Sequence, residues 1–245
     1  MAQTSDPAPM RVYLLGTVEF ADMQRLQRRL VYDLGEQPGA AVVLCEHPPT
    51  LTIGRSGSRA RIRLDDQELR DRGLPVHWVN RGGGCQLHVP GQLAAYVVIN
   101  LRERDLLLNQ HVEALHQSLL AVISEFDLKG HRRPGCSGVF LDRARVASVG
   151  VAVNRWIAYH GLTLNVGPYL GPFHEVIEEI GPDGAPIRQT SLEARRQRPA
   201  PMARARETLL RQLAQAYGLV TSHVYTTHPM IRPKVRPHEL LARHA

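Results

Sequence analysis

The sequence predicts an α+β fold in which a mixed sheet is flanked by helices. Short apolar runs come as neighbouring pairs, three amphipathic stretches with helical spacing stand apart from them, and the two kinds do not alternate regularly. That pattern favours α+β over a doubly wound sheet.

Taken in order, residues 11–16 (Arg-Val-Tyr-Leu-Leu-Gly) read as a first strand. Met23, Leu26, Leu30 and Leu34 recur every three or four residues, which predicts an amphipathic helix closing near Gly35. Ala41 to Cys45 is a continuous apolar run ahead of His47-Pro48-Pro49, hence a buried strand with a proline stop, and Leu51-Thr52-Ile53 is a further short strand. Residues 55–73 are rich in Arg, Asp and Gly, with Leu64 and Leu69 as anchors, and predict a surface loop with one helical turn. Val76 to Val79 is a strand running into a glycine loop; Gln86 to His88 and Ala94 to Leu101 continue the sheet. Asn109 is the expected cap of a long helix whose apolar stripe is Val112, Leu115, Leu119, Val122, Ile123 and Phe126. Gly138 to Leu141, Val146 to Val153 and Trp156 to Leu164 are three strands, the last two joined by a turn at Asn154-Arg155. A looser stretch from Gly167 to Pro201 precedes a last helix with Leu209, Leu210, Leu213 and Tyr217 on one side and Gly218 at its end. The expected organisation is a disordered start at residues 1–9, a single domain over 10–220 and a basic extension over 221–245.

At 245 residues, 43% hydrophobic and 22% charged, the chain can bury a core without staples. Lys+Arg number 30 against 23 Asp+Glu, a net charge of +7, and only Lys129 and Lys234 are lysines. Such an excess fits a polyanionic partner or an acidic carrier protein. The arginines (Arg25, Arg28, Arg29; Arg59, Arg61, Arg63; Arg195, Arg196, Arg198) are scattered rather than interleaved with aromatics, which favours a solvated surface over a nucleic-acid face. Cys45, Cys85 and Cys136 are an odd number without paired spacing, arguing against a disulfide framework and a metal site. The twelve histidines show no metal-binding spacing. No run approaches the roughly 20 apolar residues of a membrane span. A reducing cytoplasm is the expected compartment.

Chemistry concentrates in three segments. Gly82, Gly83 and Gly84 after Arg81 let the backbone approach a ligand closely, and His88, Pro90-Gly91-Gln92 and Tyr96 follow at once. The alternative is a glycine-rich hairpin without a ligand; the phosphate-loop lysine and the helix-opening glycine pattern are both missing. His160-Gly161 repeats the pairing of a polar residue with a glycine gap in a strand, and Ser148-Val149-Gly150 by itself reads as a strand glycine.

Together these segments resemble the lipoate-protein ligase B family, the octanoyl (lipoyl) transferases. The family stretch R-G-G-x-x-T-x-H-G-P-G-Q-L looks like Arg81-Gly82-Gly83-Gly84-Cys85-Gln86-Leu87-His88-Val89-Pro90-Gly91-Gln92-Leu93. K-I-A-[A/S]-I-G resembles Arg145 to Gly150, and H-G-[L/F]-A-L-N resembles His160 to Asn165, with Pro172-Phe173 beyond. The likeness runs from Glu46-His47-Pro48-Pro49 to Thr190-Ser191-Leu192. It implies the biotin/lipoate-protein ligase catalytic-domain fold and substrate-binding roles for Arg81, Gly82, Gly83, Gly84, Cys85, Gln86, Leu87, His88, Ser148, Val149, Gly150, Gly161, Leu162 and Thr163. It implies octanoyl-acyl carrier protein as donor and lipoyl domains of 2-oxoacid dehydrogenases or the glycine cleavage H protein as acceptors. No cofactor, metal, nucleic acid or membrane is expected.

The resemblance also implies an acyl-thioester on a cysteine, its thiol acidified by a lysine. Here an ungapped count from Gly161 puts Glu179 in the nucleophile slot, and Arg145 takes the lysine slot. A carboxylate is a poor partner for a thioester and arginine shuttles no proton, so Arg145 with Glu179 reads as a structural charge pair. Cys85 is the stand-in nucleophile of choice, Cys136 a loop alternative and Cys45 core. Two rival readings stand: a member that binds an acyl or lipoyl group, or a lipoyl domain, without transferring, and an ATP-dependent lipoate ligase, whose adenylate-binding lysine Arg145 would replace.

Overall fold

The computed structural model describes residues 9–231. In chain order these residues form β1 (Pro9–Thr17), α1 (Phe20–Glu36), β2 (Ala40–Glu46), β3 (Thr50–Ile53), a 3₁₀ turn at Arg59–Arg61, α2 (Asp66–Asp71), β4 (Val76–Trp78), β5 (Cys85–His88), β6 (Gln92–Asn100), α3 (Leu108–Glu125), β7 (His131–Arg132), β8 (Gly138–Leu141), β9 (Ala144–Asn154), β10 (Ile157–Asn165), α4 (Gly171–Val176), β11 (Arg188–Gln189), α5 (Leu192–Arg196), α6 (Met202–Tyr217) and β12 (Val220–Tyr225).

The main sheet has the order β12-β1-β2-β6-β10-β9-β8-β7, with β11 added parallel to β9. It is mixed: β12, β1 and β2 run parallel, and from β2 onward neighbours are antiparallel. Side-chain alternation distributes each strand between two cores. Val42, Leu44, Ala95, Val97 and Ile99 face α3 and α6, while Ala41, Val43, Cys45, Ala94 and Val98 face α1. β2 is therefore wanted by both sides, which is why its sequence is apolar without alternation. On α1, Met23, Leu26, Leu30 and Leu34 are all buried, each contributing about 1.5–3 kcal/mol relative to exposure. A second sheet, β4-β3-β5, packs Leu51, Ile53 and Leu87 against Leu64, Leu69, Phe173 and Val176.

Several expectations need correction. Asn109 is not the cap of α3: the cap is Leu107, whose N–H is taken by the side chain of Gln110 at 2.8 Å, and Asn109 lies inside the first turn. The stretch over 55–73 holds both the 3₁₀ turn and α2, the latter opened by a reciprocal Asp65–Glu68 capping box. Beyond residue 220 the sheet continues: β12 pairs with β1 from Pro9↔Val220 to Tyr13↔Tyr225. Residues 1–8 and 232–245, which carry the rest of the expected terminal segments, lie outside the described residues.

Candidate functional site

β3 and β5 of the small sheet meet β6, β9 and β10 of the large one along a narrow seam, and the glycine loop after Arg81 fills it. Gly82 N–H donates to the Val151 carbonyl at 2.9 Å, pinning the loop to β9. A Cβ on Gly150 would stand 2.8 Å from the Gly82 carbonyl, and one on Gly54 would stand 2.4 Å from that of Gly83. The loop is thus layered between two backbones that admit no side chain at those points.

Arg81 is the anchor of this layering. Its buried guanidinium donates through Nη2 to Thr52 Oγ1 at 2.7 Å and through Nη1 to the Gly82 carbonyl at 3.0 Å. Burial pulls its pKa down to about 10, which leaves it charged at neutral pH. Both terminal nitrogens are engaged with the protein, so Arg81 shapes the pocket wall.

A chain of hydrogen bonds continues from it. Thr52 Oγ1 lies 3.3 Å from His88 Nε2, and His88 Nδ1 lies 3.1 Å from Gln92 Oε1. Gln92 Nε2 donates to Asn165 Oδ1 at 2.8 Å, and Asn165 Nδ2 to the Thr190 carbonyl at 2.9 Å. A parallel pair sits beside it: His47 Nδ1 donates to the Val18 carbonyl at 2.7 Å, so its Nε2 accepts from Tyr96 OH at 2.6 Å. Phe20 packs its ring among His47, His77 and His88. Burial holds His47 down to about 4 and His88 well below the usual imidazole range; both are neutral at pH 7.

Two cavities of about 30 Å³ each lie along the seam, each with room for about one or two waters. One is lined by Gln86, Gln92, Arg145, Phe173 and Glu179, the other by Phe20, Arg81, Tyr96, Gly150 and His160. They share Gln86, Ser148 and Thr163, and the partition between them is the hydrogen bond from Gln86 Nε2 to Thr163 Oγ1. His160 takes a positive φ of 63° there and donates its backbone N–H to Gln27 Oε1 at 2.9 Å, so it meets α1 rather than β6. Burial holds its imidazole down to about 3.

At the outer end, Arg145 Nη1 donates to Glu179 Oε1, and Gln189 Nε2 donates to Glu179 Oε2 at 3.0 Å. Arg145 also lies over the Phe140 ring, 5.4 Å from its centre. Both carboxylate oxygens of Glu179 are therefore engaged. Cys85, at the rim of the same cavity, donates its thiol to the Ser58 carbonyl at 3.3 Å. Burial pushes that thiol up, outweighing that hydrogen bond and the nearby Arg81, so it is protonated at neutral pH. Cys136 lines a wider outer groove with Gly83, Gly84, Cys85, Arg145 and Glu179. Cys45 is fully buried.

The lipoyl protein ligase A/B catalytic domain matches residues 20–214. The chain belongs to this family. An octanoyltransferase of Geotalea uraniireducens is 37% identical over 186 residues, covering 76% of this chain and 82% of that one. Another, from Geobacter metallireducens, is 37% identical over 202 residues, covering 82% and 90%. Among solved structures, one from the study of a bipartite lipoate protein ligase and its E2 lipoyl domain from Thermoplasma acidophilum has a TM-score of 0.68 at 15% identity, covering 96% of this chain and 91% of that one. Lipoate-protein ligase A bound with ATP gives 0.67 at 14% identity, over 96% and 93%. At such identities the structural likeness speaks for the fold, which is the ligase-type α+β fold expected from the sequence.

In this family member the three motif segments do converge, but not every residue in them reaches a cavity. Gln86, Leu87, His88, Ser148, Gly150, Gly161, Leu162 and Thr163 line the two cavities. Val149 packs into the core under α3, because strand alternation turns it away from Ser148 and Gly150. Gly83 and Gly84 face the outer groove, and Gly82 is spent on β9. The sequence motifs contained Gln92 and Asn165 without giving either a binding role, and Thr52 and Gln189 were passed over. Thr52 carried a signal, a polar residue inside a buried apolar strand, whereas Gln189 acquires its role from Glu179 and Asn165.

Proposed function

We propose that the protein transfers octanoyl from an acyl carrier protein to a lysine of a lipoyl domain, a step of lipoate biosynthesis. The observation that carries this reading is the slender seam at which the Arg81–His88 loop, β9 and β10 meet, in a chain 37% identical to octanoyltransferases. The acyl chain would lie along Gln86, Ser148, Gly150 and Gly161–Thr163, with its carbonyl at the Arg145–Glu179 end. In the transfer an amine nitrogen bonds to the acyl carbon, the carbon–sulfur bond breaks, and the carrier is released as its thiol. A net charge of +7 suits acidic carrier partners, and the cytoplasm is the compartment in which these partners would be met. Incubating the protein with octanoyl-carrier and a lipoyl domain, without ATP, should add one octanoyl group to the lipoyl domain by mass. No such addition at any enzyme concentration would overturn it.

One observation favours a second reading, binding without transfer. The Cys85 thiol is held protonated, and the Glu179 carboxylate is occupied by Arg145 and Gln189. In that case octanoate would bind saturably while the lipoyl domain stays unmodified. ATP-dependent formation of an acyl-adenylate would instead favour the ligase.

A further inference from the structure

The inner cavity of the seam, the one away from Arg145 and Glu179, shares a single lining residue with a broad groove beyond it, and that residue is His160. The free space is about 30 Å³ on the seam side and about 810 Å³ on the other. One imidazole therefore stands between the distal end of the seam and a much larger space.

The neighbouring strands leave the closing of that end to it. Gly161 of β10 pairs with Gly150 of β9. A Cβ on Gly161 would stand 2.3 Å from the Ala95 carbonyl, and one on Gly150 would stand 2.8 Å from the Gly82 carbonyl, so neither position admits a side chain. The lining is bare at this pair, and His160 is the adjacent residue of β10. Its φ of 63° is held by the bond from its N–H to Gln27 Oε1 at 2.9 Å. Glycine adopts that backbone without strain, yet a ring is kept there. Strain held in a cavity wall marks functional positions more than structural ones.

Packing alone sets the ring across the opening. It stacks on Tyr159, with centres 5.0 Å apart and planes 28° from parallel, and lies 6.4 Å from the Tyr96 ring. Among the described residues neither of its nitrogens has a hydrogen-bond partner. Burial keeps it uncharged, so it faces the seam as an aromatic wall. The groove behind it is lined by Val31, Trp78, Val79, Trp156 and Ile157, apolar surface suited to an alkyl tail.

We propose that His160 sets the length of the acyl group: its ring stops the methyl end of an octanoyl chain, and longer chains are refused because the groove behind it is shut off. The assignment rests on the placement of the acyl carbonyl at the Arg145–Glu179 end proposed above, which makes His160 the distal stop.

The test compares His160→Gly, which suits the left-handed backbone, and His160→Asn, a smaller side chain that tolerates it, each checked for a cooperative thermal transition. Binding of free octanoate and tetradecanoate is measured directly, without any transfer step. The affinity ratio of tetradecanoate to octanoate should rise at least about tenfold in His160→Gly and less in His160→Asn; each methylene that gains burial is worth roughly fourfold, so about two suffice. The chain has only two tryptophans, and both line the groove, so they report the arrival of the tail. Tetradecanoate brominated at its terminal carbon should quench their fluorescence in His160→Gly and not in the wild type. An unchanged ratio in both folded variants overturns the proposal, and so does equal quenching of the wild type at equal occupancy. If octanoyl transfer is absent while the ratio and the quenching still change, the stop stands and the reaction assigned above falls.

Discussion

Asn165 donates through Nδ2 to the Thr190 carbonyl, and that one bond dictates the direction of every hydrogen bond back to Arg81. A carbonyl can only accept, so Asn165 must turn its amide nitrogen to Thr190 and its oxygen to Gln92. Gln92 then presents oxygen to His88, which must carry its proton on Nδ1 and accept at Nε2 from the Thr52 hydroxyl. Thr52 is left with its lone pair for Arg81.

Removing the origin of this order should therefore be costly. Asn165→Ala strips the Thr190 carbonyl of its side-chain donor and leaves the Gln92 amide only its long bond to the Leu87 carbonyl at 3.4 Å, a loss of about 1–3 kcal/mol for buried groups left poorly satisfied. Asn165→Asp keeps the volume but offers the carbonyl no donor, and should be at least as damaging at neutral pH. Urea unfolding measures both; midpoints equal to wild type would mean the chain does not hold the seam.

The Gln86–Thr163 bond divides what an eight-carbon chain must span. Gln86→Ala is expected to merge the two cavities and favour longer chains. Each methylene newly buried is worth up to about 0.8 kcal/mol, roughly fourfold. The ratio of octanoyl to butanoyl binding should rise by that factor or more, with butanoyl little affected. A ratio that stays put would show that Gln86 swings aside at no cost.

The pair at the mouth can be exchanged as a unit. R145K/E179C would set a thiol beside an amine where the ion pair now stands, and a nearby ammonium favours the thiolate. Mass spectrometry after exposure to octanoyl-carrier should find an octanoyl adduct on the double variant and none on R145K alone. Glu179→Ala alone should lower stability, since it leaves the mostly buried Arg145 without its counter-charge.

His47, His111 and His160 have folded-state values of about 4, 4 and 3, all lowered chiefly by burial. Below about pH 6.5 the unfolded chain takes up protons that the folded chain refuses. The stability these residues allow is thus complete above that pH and lost as pH falls toward 4, each by on the order of 1 kcal/mol per pH unit. Denaturation midpoints should be flat from pH 7 to 8 and decline steeply from 6 to 4.5. A profile level down to pH 5 would contradict neutral buried imidazoles.

The parts of this fold that announce themselves in sequence are those whose burial is periodic. The spacing of Met23, Leu26, Leu30 and Leu34 and the unbroken run of β2 each report one environment repeated along the chain. α2 has only Leu69 buried and so no period to show. β12 is exposed at all six positions, so its pattern carries no trace of the partner strand that orders it. At the site, the glycine loop and the Ser148 and Gly161 segments were legible as motifs. The Asn165-to-Arg81 order was not, because its logic is the geometry of groups brought together from β3, β5, β6 and β10.

The pairing of β1 with β12 has a consequence for the making of the molecule. β1 is synthesised long before its partner β12, and its outer edge stays unpaired until residue 225 has emerged. During most of translation that edge is open to pairing with other chains. Chains that stop at Leu219 should therefore aggregate while keeping every residue of the acyl seam, and light scattering during refolding of the two lengths would show it.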